Sequence, residues 1–251
     1  MKNPFLIIGI AFSVITWTAC TKTDNYPAPS ATITGSTIDE VTGATLETEI
    51  GGGGTRIKLL ETSYDSAPVP LYFQSMQDGT FNNNKVFPAT YKISVEGPFV
   101  PLILTDSTGH TVSDSSQTIV LKNTATLHFN VQPYLRIQMV GNPVINPDTS
   151  VSVTVVVTRG TDNPNFQQHV TNINLYVSNT KYDGNNNYDP RYSKLNSYGG
   201  SDGDSLLGKT ITLTTTGGAL PRQDVFFRVG ARISAGLNQY NYTPPVSITY
   251  P

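Results

Sequence analysis

Between residues 176 and 198 the chain carries five tyrosines, Tyr176, Tyr182, Tyr188, Tyr192 and Tyr198, interspersed with Asn185, Asn186, Asn187, Arg191 and Asn196. An aromatic ring covers the C–H face of a pyranose, while amide and guanidinium groups exchange hydrogen bonds with its hydroxyls. Tyr182, Tyr188, Arg191, Tyr192 and Tyr198 are therefore the candidate ligand-binding residues. The same rings suit two other tasks. They could staple a long loop to its scaffold, or contact another protein, since tyrosine offers large area at small entropic cost. Against sugar stands the absence of tryptophan from this region, the one Trp17 lying far upstream. Residue types alone leave all three readings open.

Within the same stretch, Asp183, Asn185, Asn187 and Asp189 place an oxygen-bearing side chain at every second position, as a calcium loop does. The twelfth position would be Lys194 where a bidentate Glu belongs, and the glycine is misplaced. An Asn/Asp/Gly-rich segment is also the composition of an ordinary turn-rich loop. Calcium is thus a minor expectation, with Asp202 and Asp204 near enough to contribute, and no other cofactor is expected. Three histidines, His110, His128 and His169, stand in no Ser-His-Asp or Cys-His context. No zinc-protease motif and no phosphate loop occurs, and Gly51–Gly54 reads as a flexible hairpin connection because no helix follows it. The chain is expected to have no catalytic residues.

Cys20 is the single cysteine. Before it run Lys2, an apolar stretch from Phe5 to Trp17, and Thr18-Ala19, the layout of an export signal with a small residue at the cleavage point. The apolar run is shorter than the roughly 20 residues of a membrane span. In this setting Cys20 resembles the lipid-acceptor cysteine of bacterial lipoproteins, although Trp17 stands where an aliphatic residue is usual. That resemblance implies a signal peptide over 1–19, a lipid anchor on Cys20, and a polar tether over 20–30. Sixteen basic against eighteen acidic residues leave a net charge of −2, which gives no reason to expect nucleic acid as a partner.

The remaining sequence is poor in charge and rich in Thr, Ser, Asn, Gly, Pro and Tyr, with apolar residues recurring at a period of two. Strands are predicted at 31–39, 56–60, 80 onward, 91–95, 117–121 and 126–131. A second set covers 134–139, 151–158, 173–177, about 211–213, 225–233 and 246–250. In 225–233 the apolar set Val225, Phe227, Val229, Ala231 and Ile233 points inward, opposed by Phe226, Arg228 and Arg232. No stretch shows a helical period. The fold class is all-β, in two consecutive β-sandwich domains over 31–131 and 132–251, the second interrupted by a long polar loop over 178–208. Alternating strands without a cysteine pair suggest a fibronectin-III-like or immunoglobulin-like second domain.

Gly35, Asp39 and Thr42-Gly43, with Asp78-Gly79-Thr80-Phe81 and Pro88-Ala89-Thr90-Tyr91-Lys92-Ile93, resemble the carboxypeptidase-regulatory-like, transthyretin-like sandwich. Ala89-Thr90 stands where that family usually has glycine. Nearly all of the chain after the signal is similar to surface lipoproteins of the Bacteroidetes encoded beside the SusC-like transporter and SusD-like binding protein of polysaccharide-utilisation loci. Besides the segments just named, Asp24 to Pro29, Glu96 to Pro101 and Val131 to Tyr134 carry that likeness. It implies an outer-membrane, cell-surface location. The partners it implies are the membrane, SusC/SusD-like proteins and polysaccharide. It supplies no established chemistry.

Overall fold

The structure, a computed structural model, describes residues 27–64 and 67–251. Cys20 and the signal before it lie outside the described residues. In the first sandwich one sheet is built from β1 (Ala31–Asp39), β4 (Thr80–Val86) and β9 (Thr124–Val131), in the order β4-β1-β9. The other contains β2 (Arg56–Glu61), β3 (Leu71–Gln74), β5 (Ala89–Glu96) and β8 (Gln117–Leu121), in the order β3-β2-β5-β8. β6 (Ile103–Thr105) and β7 (Thr111–Asp114) form a separate ribbon. The period of two decides the core. Ile33, Phe81, Leu127 and Phe129 from the first sheet meet Ile57, Leu59, Tyr91, Ile93 and Leu121 from the second. β1 and β9 run parallel; the other pairings are antiparallel.

The second sandwich follows the same logic. β12 (Val151–Arg159) is central to one sheet, with β10 (Leu135–Met139) and β11 (Val144–Ile145) along one edge and β14 (Thr210–Thr214) along the other. β15 (Asp224–Ile233) is central to the opposite sheet, between β13 (Val170–Ser178) and the pair β16 (Asn241–Tyr242) and β17 (Val246–Thr249). Val151, Val153, Val155 and Val157 pack against Ile173, Leu175, Val177 and the inward row of β15 from Val225 to Ile233. The strands that periodicity does not reveal are short: β3, β6, β7, β11 and β16. They have four residues or fewer, too few to display an alternation. Among the described residues no helix is long and apolar enough to cross a membrane.

The two sandwiches meet along a polar joint. The connecting segment is clamped to the first domain: the Val100 amide donates to the Gln132 carbonyl and the Tyr134 amide to the Pro98 carbonyl. The segments 96–101 and 131–134 thus lie against each other, with a bridge between Phe99 and Pro133. Arg136 on β10 grips Asp39 at the end of β1 in a two-pronged ion pair of 2.6 and 2.8 Å. The Asn241 side chain receives the Leu135 amide and donates to the Pro98 carbonyl.

Arg228, on the face of β15 that opposes the core row, is 0% exposed, enclosed between Glu47 of the first domain and Asp183, Tyr242 and Thr243 of the second. One expectation is corrected here. Residues 51–54 are not a loose connection. Gly51–Gly53 form a 3₁₀ turn, and the Gly54 carbonyl accepts a 2.6 Å hydrogen bond from the Gln239 side chain across the joint.

Candidate functional site

The long loop between β13 and β14 divides into parts with different neighbours. Its later part, from Ser193 to Tyr198, lies along β13 almost as another strand. Lys194 exchanges backbone hydrogen bonds with Leu175, Asn196 is held by Asn174 and Ile173, and the Tyr198 amide donates to the Thr171 carbonyl. The Tyr198 ring packs on the sandwich core. Of the five candidate ligand residues, Tyr198 is therefore a staple. Tyr182 sits at the other end, beside the domain joint with Glu47, Met76, Gln77 and Asp78, and the Lys181 ammonium lies 5.2 Å from its ring centre.

The middle part, Asn187 to Tyr192, brings Tyr188, Arg191 and Tyr192 together around a cleft of about 440 Å³. Its floor is Val177 and Val225, core residues at adjacent ends of β13 and β15; Pro190 and Pro221 add apolar wall. Ser178, Asn179, Asn187 and Gln223 contribute the polar lining. Among the described residues the side-chain amides of Asn179 and Gln223 and the hydroxyls of Tyr188 and Tyr192 make no hydrogen bond, so they remain available to a ligand. The cleft is held in shape from below. The Asp189 amide donates to the Val177 carbonyl at 2.7 Å, and the Asp189 carbonyl accepts from the amides of Tyr192 and Ser193. Arg191 lies over the Tyr192 ring, 5.1 Å from its centre, and forks onto the Asp189 carboxylate. Half-buried Tyr188 is backed by the Tyr176 ring at 5.5 Å, which is itself part of a buried cluster with Tyr240 and Tyr242.

A second cleft of about 500 Å³ opens at the joint, lined in part by Leu46, Arg136, Met139 and Tyr242. Several of its polar groups are already engaged: Asp39 with Arg136, Asn241 with both domains, and the Tyr242 hydroxyl with Glu49 at 2.6 Å. The loop cleft combines two tyrosines with unspent hydrogen-bonding groups and holds three of the candidate residues.

The calcium reading is corrected by the directions of its four side chains. Asp189 is spent on Arg191, Asn187 donates to the Tyr182 carbonyl, Asn185 accepts from the Tyr176 hydroxyl, and Asp183 is turned into the joint, 0% exposed. Oxygens at alternate positions must converge on the ion, and here a tight turn closed between Gly184 and Asn187 sends the four side chains to different neighbours. Asp204, considered with them, binds Arg159 and His169. Among the described residues no group of three or more His, Cys, Asp or Glu side chains could hold a metal.

Asp183 leads to residues that sequence reasoning missed. The Arg228 guanidinium donates to the Glu47 carboxylate at 2.7 Å, to the Asp183 carbonyl at 3.2 Å and to the Thr243 carbonyl at 2.9 Å, and lies 4.2 Å from the Tyr242 ring centre. Glu49 is buried beside them and accepts from Tyr242 and from the Asn186 amide. Both oxygens of the Asp183 carboxyl are buried without a hydrogen-bond partner. Burial pushes that carboxyl up to about 7, opposed by Arg228 and reinforced by the nearby Glu49 and Glu47 charges. Glu47 is likewise raised by burial, with Arg228 pulling the other way. Nothing local in the sequence marks this cluster, because its members lie on three separate segments, Arg228 standing 45 residues from Asp183 and 181 from Glu47.

Fold and site together define a class: a two-domain β-sandwich protein whose second domain carries a tyrosine-lined cleft on a long loop. Residues 31–132 match the family model described as "Protein of unknown function (DUF3823) N-terminal domain", and residues 138–247 match "Domain of unknown function (DUF3823_C)". The chain belongs to the DUF3823 family. A crystal structure of a DUF3823 family protein from Bacteroides uniformis is 32% identical, with 89% of this chain and 100% of that chain covered and a TM-score of 0.80. A second crystal structure from the same organism, described as a "putative carbohydrate binding protein", is 23% identical over 88% of this chain and 99% of that one, TM-score 0.64. A DUF3823 family protein from Parabacteroides merdae is 20% identical over 88% and 100%, TM-score 0.66. These last two show a shared fold. Among curated proteins none matches.

Proposed function

We propose that the protein is a non-catalytic, lipid-anchored surface protein of the outer membrane that captures glycan beside a SusC/SusD-like uptake complex. The observation that carries this reading is the loop cleft. Two tyrosines, two prolines and two unspent amides surround one concave space on a scaffold fixed by backbone hydrogen bonds. Pockets of this size with few convergent polar groups are the usual form of a small-ligand site. Support for sugar comes from the aromatic-plus-amide lining and from the carbohydrate-binding description attached to one protein of the same fold. Binding rather than cleavage fits the lining, since hydrolysis of a glycoside needs a pair of carboxyl groups. The cleft presents a single carboxylate, Asp189, already engaged by Arg191. The anchor rests on the Cys20 sequence context, and the uptake complex and the transthyretin-like character of the first domain rest on the sequence resemblance.

The test is affinity-gel retardation and glycan-array binding by the full chain beside single Tyr→Ala variants. Tyr188→Ala and Tyr192→Ala should each weaken binding by about tenfold, which is roughly 1.4 kcal/mol. Tyr182→Ala should leave binding unchanged, because Tyr182 lies at the joint. No retention by any polysaccharide would turn the reading toward an accessory subunit that binds only its protein partners.

A further inference from the structure

We propose that the loop cleft selects neutral, hydroxyl-rich glycans over uronic acids and other anionic sugars, and that Asp189 sets this preference by occupying Arg191. The inference rests on the glycan reading above and assigns its substrate class.

An exposed arginine in a sugar cleft would ordinarily be the group that recognises a carboxylate, because its planar fork matches two oxygens at once. Here the Nε–Nη2 edge of that fork is filled from within. The Arg191 Nη2 donates to Asp189 Oδ2 at 2.7 Å, and Nε donates to Oδ1 and Oδ2 at 3.0 and 3.2 Å. Asp189 Oδ1 also accepts the Arg191 backbone amide at 2.9 Å, so the two residues close a tight turn and hold the pair in register. Among the described residues Asp189 and Arg191 are the only charged ones lining the cleft, and their charges cancel. The Arg191 contact holds the Asp189 carboxyl below its usual range, so the pair stays ionised and matched at neutral and mildly acidic pH.

What remains for a ligand, besides the outward Nη1 of Arg191, is mainly a set of groups that both donate and accept. These are the amides of Asn179 and Gln223 and the hydroxyls of Tyr188 and Tyr192, with the Asn187 side-chain oxygen as a further acceptor. That is the pattern of a sugar hydroxyl, which also does both. An entering carboxylate would find its cation already neutralised and a fixed negative charge beside it. It would have to displace Asp189 or lie next to it, and like charges brought together inside a cleft are strongly disfavoured.

Asp189→Asn separates the charge from the geometry. The carboxamide oxygen still accepts the Arg191 amide and keeps the turn, but the guanidinium loses its counter-charge. The experiment compares the full chain, Asp189→Asn, and Asp189→Asn combined with Arg191→Gln, in affinity gels containing galactomannan or polygalacturonate. Unaltered circular dichroism is required of each variant. The expected result is retention of the parent by galactomannan only. Asp189→Asn should gain polygalacturonate binding by about tenfold or more, abolished by about 0.5 M salt and by the added Arg191→Gln. Parent protein held by polygalacturonate as strongly as by galactomannan overturns the proposal. So does a folded Asp189→Asn that gains no acidic binding. If the parent is held by neither polymer nor by any glycan of the array, the glycan reading falls, while gain of polygalacturonate binding by Asp189→Asn still upholds Asp189 as the group that masks Arg191.

Discussion

Gly35 shows how a residue can be conspicuous in sequence for a reason that only the structure supplies. It belongs to the stretch that resembles a transthyretin-like sandwich, where glycines set turns, yet here it lies in the middle of β1 with no unusual backbone angle. A Cβ at that position would stand 1.9 Å from the Leu127 carbonyl oxygen on β9 and 2.6 Å from the Phe81 ring. The glycine is needed because a parallel partner some ninety residues distant approaches its backbone. Gly43 is the contrasting case: φ is +70° in the turn after β1, with open space around it. That role is legible, since Glu40 to Gly43 reads as a turn from residue types alone. Gly35→Ala should therefore destabilise the protein by about 1–3 kcal/mol or more through overpacking, and Gly43→Ala by about 1 kcal/mol through backbone strain. Urea midpoints of the two variants measure the difference. Equal shifts would show that β9 does not approach β1 so closely.

At the scale of elements, periodicity predicts the core face of β15 and leaves open what covers the other. Val225 to Ile233 fill the sandwich core as expected, but Phe226, Arg228, Gly230 and Arg232 do not face water freely, because β15 is central in its sheet and its outer side supports both the tyrosine cluster and the joint. Alternation reports which residues share a face and cannot say whether a second domain covers the polar one. The same limit explains the loop: its tyrosines were visible as a group, whereas their division into cleft, staple and joint depends on which strand each part meets. Burial of Asp183 in the joint has a consequence for pH. The folded protein holds this proton up to about pH 7, while the unfolded chain releases it near 3.8. Unfolding thus releases a proton between those values, and the folded state loses about 1.4 kcal/mol per pH unit across that window. Glu47, also raised, acts in the same sense. Asp114 works in the opposite sense: its Lys92 and Ser116 contacts hold it to about 2, and its contribution is lost only as the pH falls toward that value. Stability should accordingly be greatest at about pH 4 and decline toward about pH 7. Asp183→Asn, which cannot ionise, should be less stable at pH 5 but much flatter. Urea denaturation of both proteins at intervals between pH 5 and 8 reads the slopes, and an undiminished slope in Asp183→Asn would remove Asp183 as its source.

For the whole molecule the joint decides whether the chain behaves as two domains or one. Interfaces between domains are by default loose unless large and apolar, and this one is mostly polar. Its polarity is nevertheless buried and extensively paired. Arg228 is wholly enclosed and Glu47 nearly so, Arg136 and Asp39 form a two-pronged bridge, and Gln77, Gln239 and Asn241 each donate across the boundary to a backbone carbonyl. Such a set is stable closed and costly half-open, since parting the domains only slightly would strand an ion pair before water could reach it. The tyrosine cluster extends the joint toward the cleft: Glu49 holds Tyr242, Tyr242 packs on Tyr176 at 5.8 Å, and Tyr176 backs Tyr188. The intact protein should therefore unfold in one calorimetric transition, with both sandwiches melting together. Arg228→Met fills similar volume but leaves Glu47 without its cation and the Asp183 and Thr243 carbonyls without their donor, a loss of about 3–5 kcal/mol. That loss falls on the joint and not on either core, so the expected outcome is a split into two transitions, one for each sandwich. A single transition merely lowered in temperature would mean that the domains are coupled through the clamped segment at Gln132 to Tyr134 and that the buried charges do not hold them together.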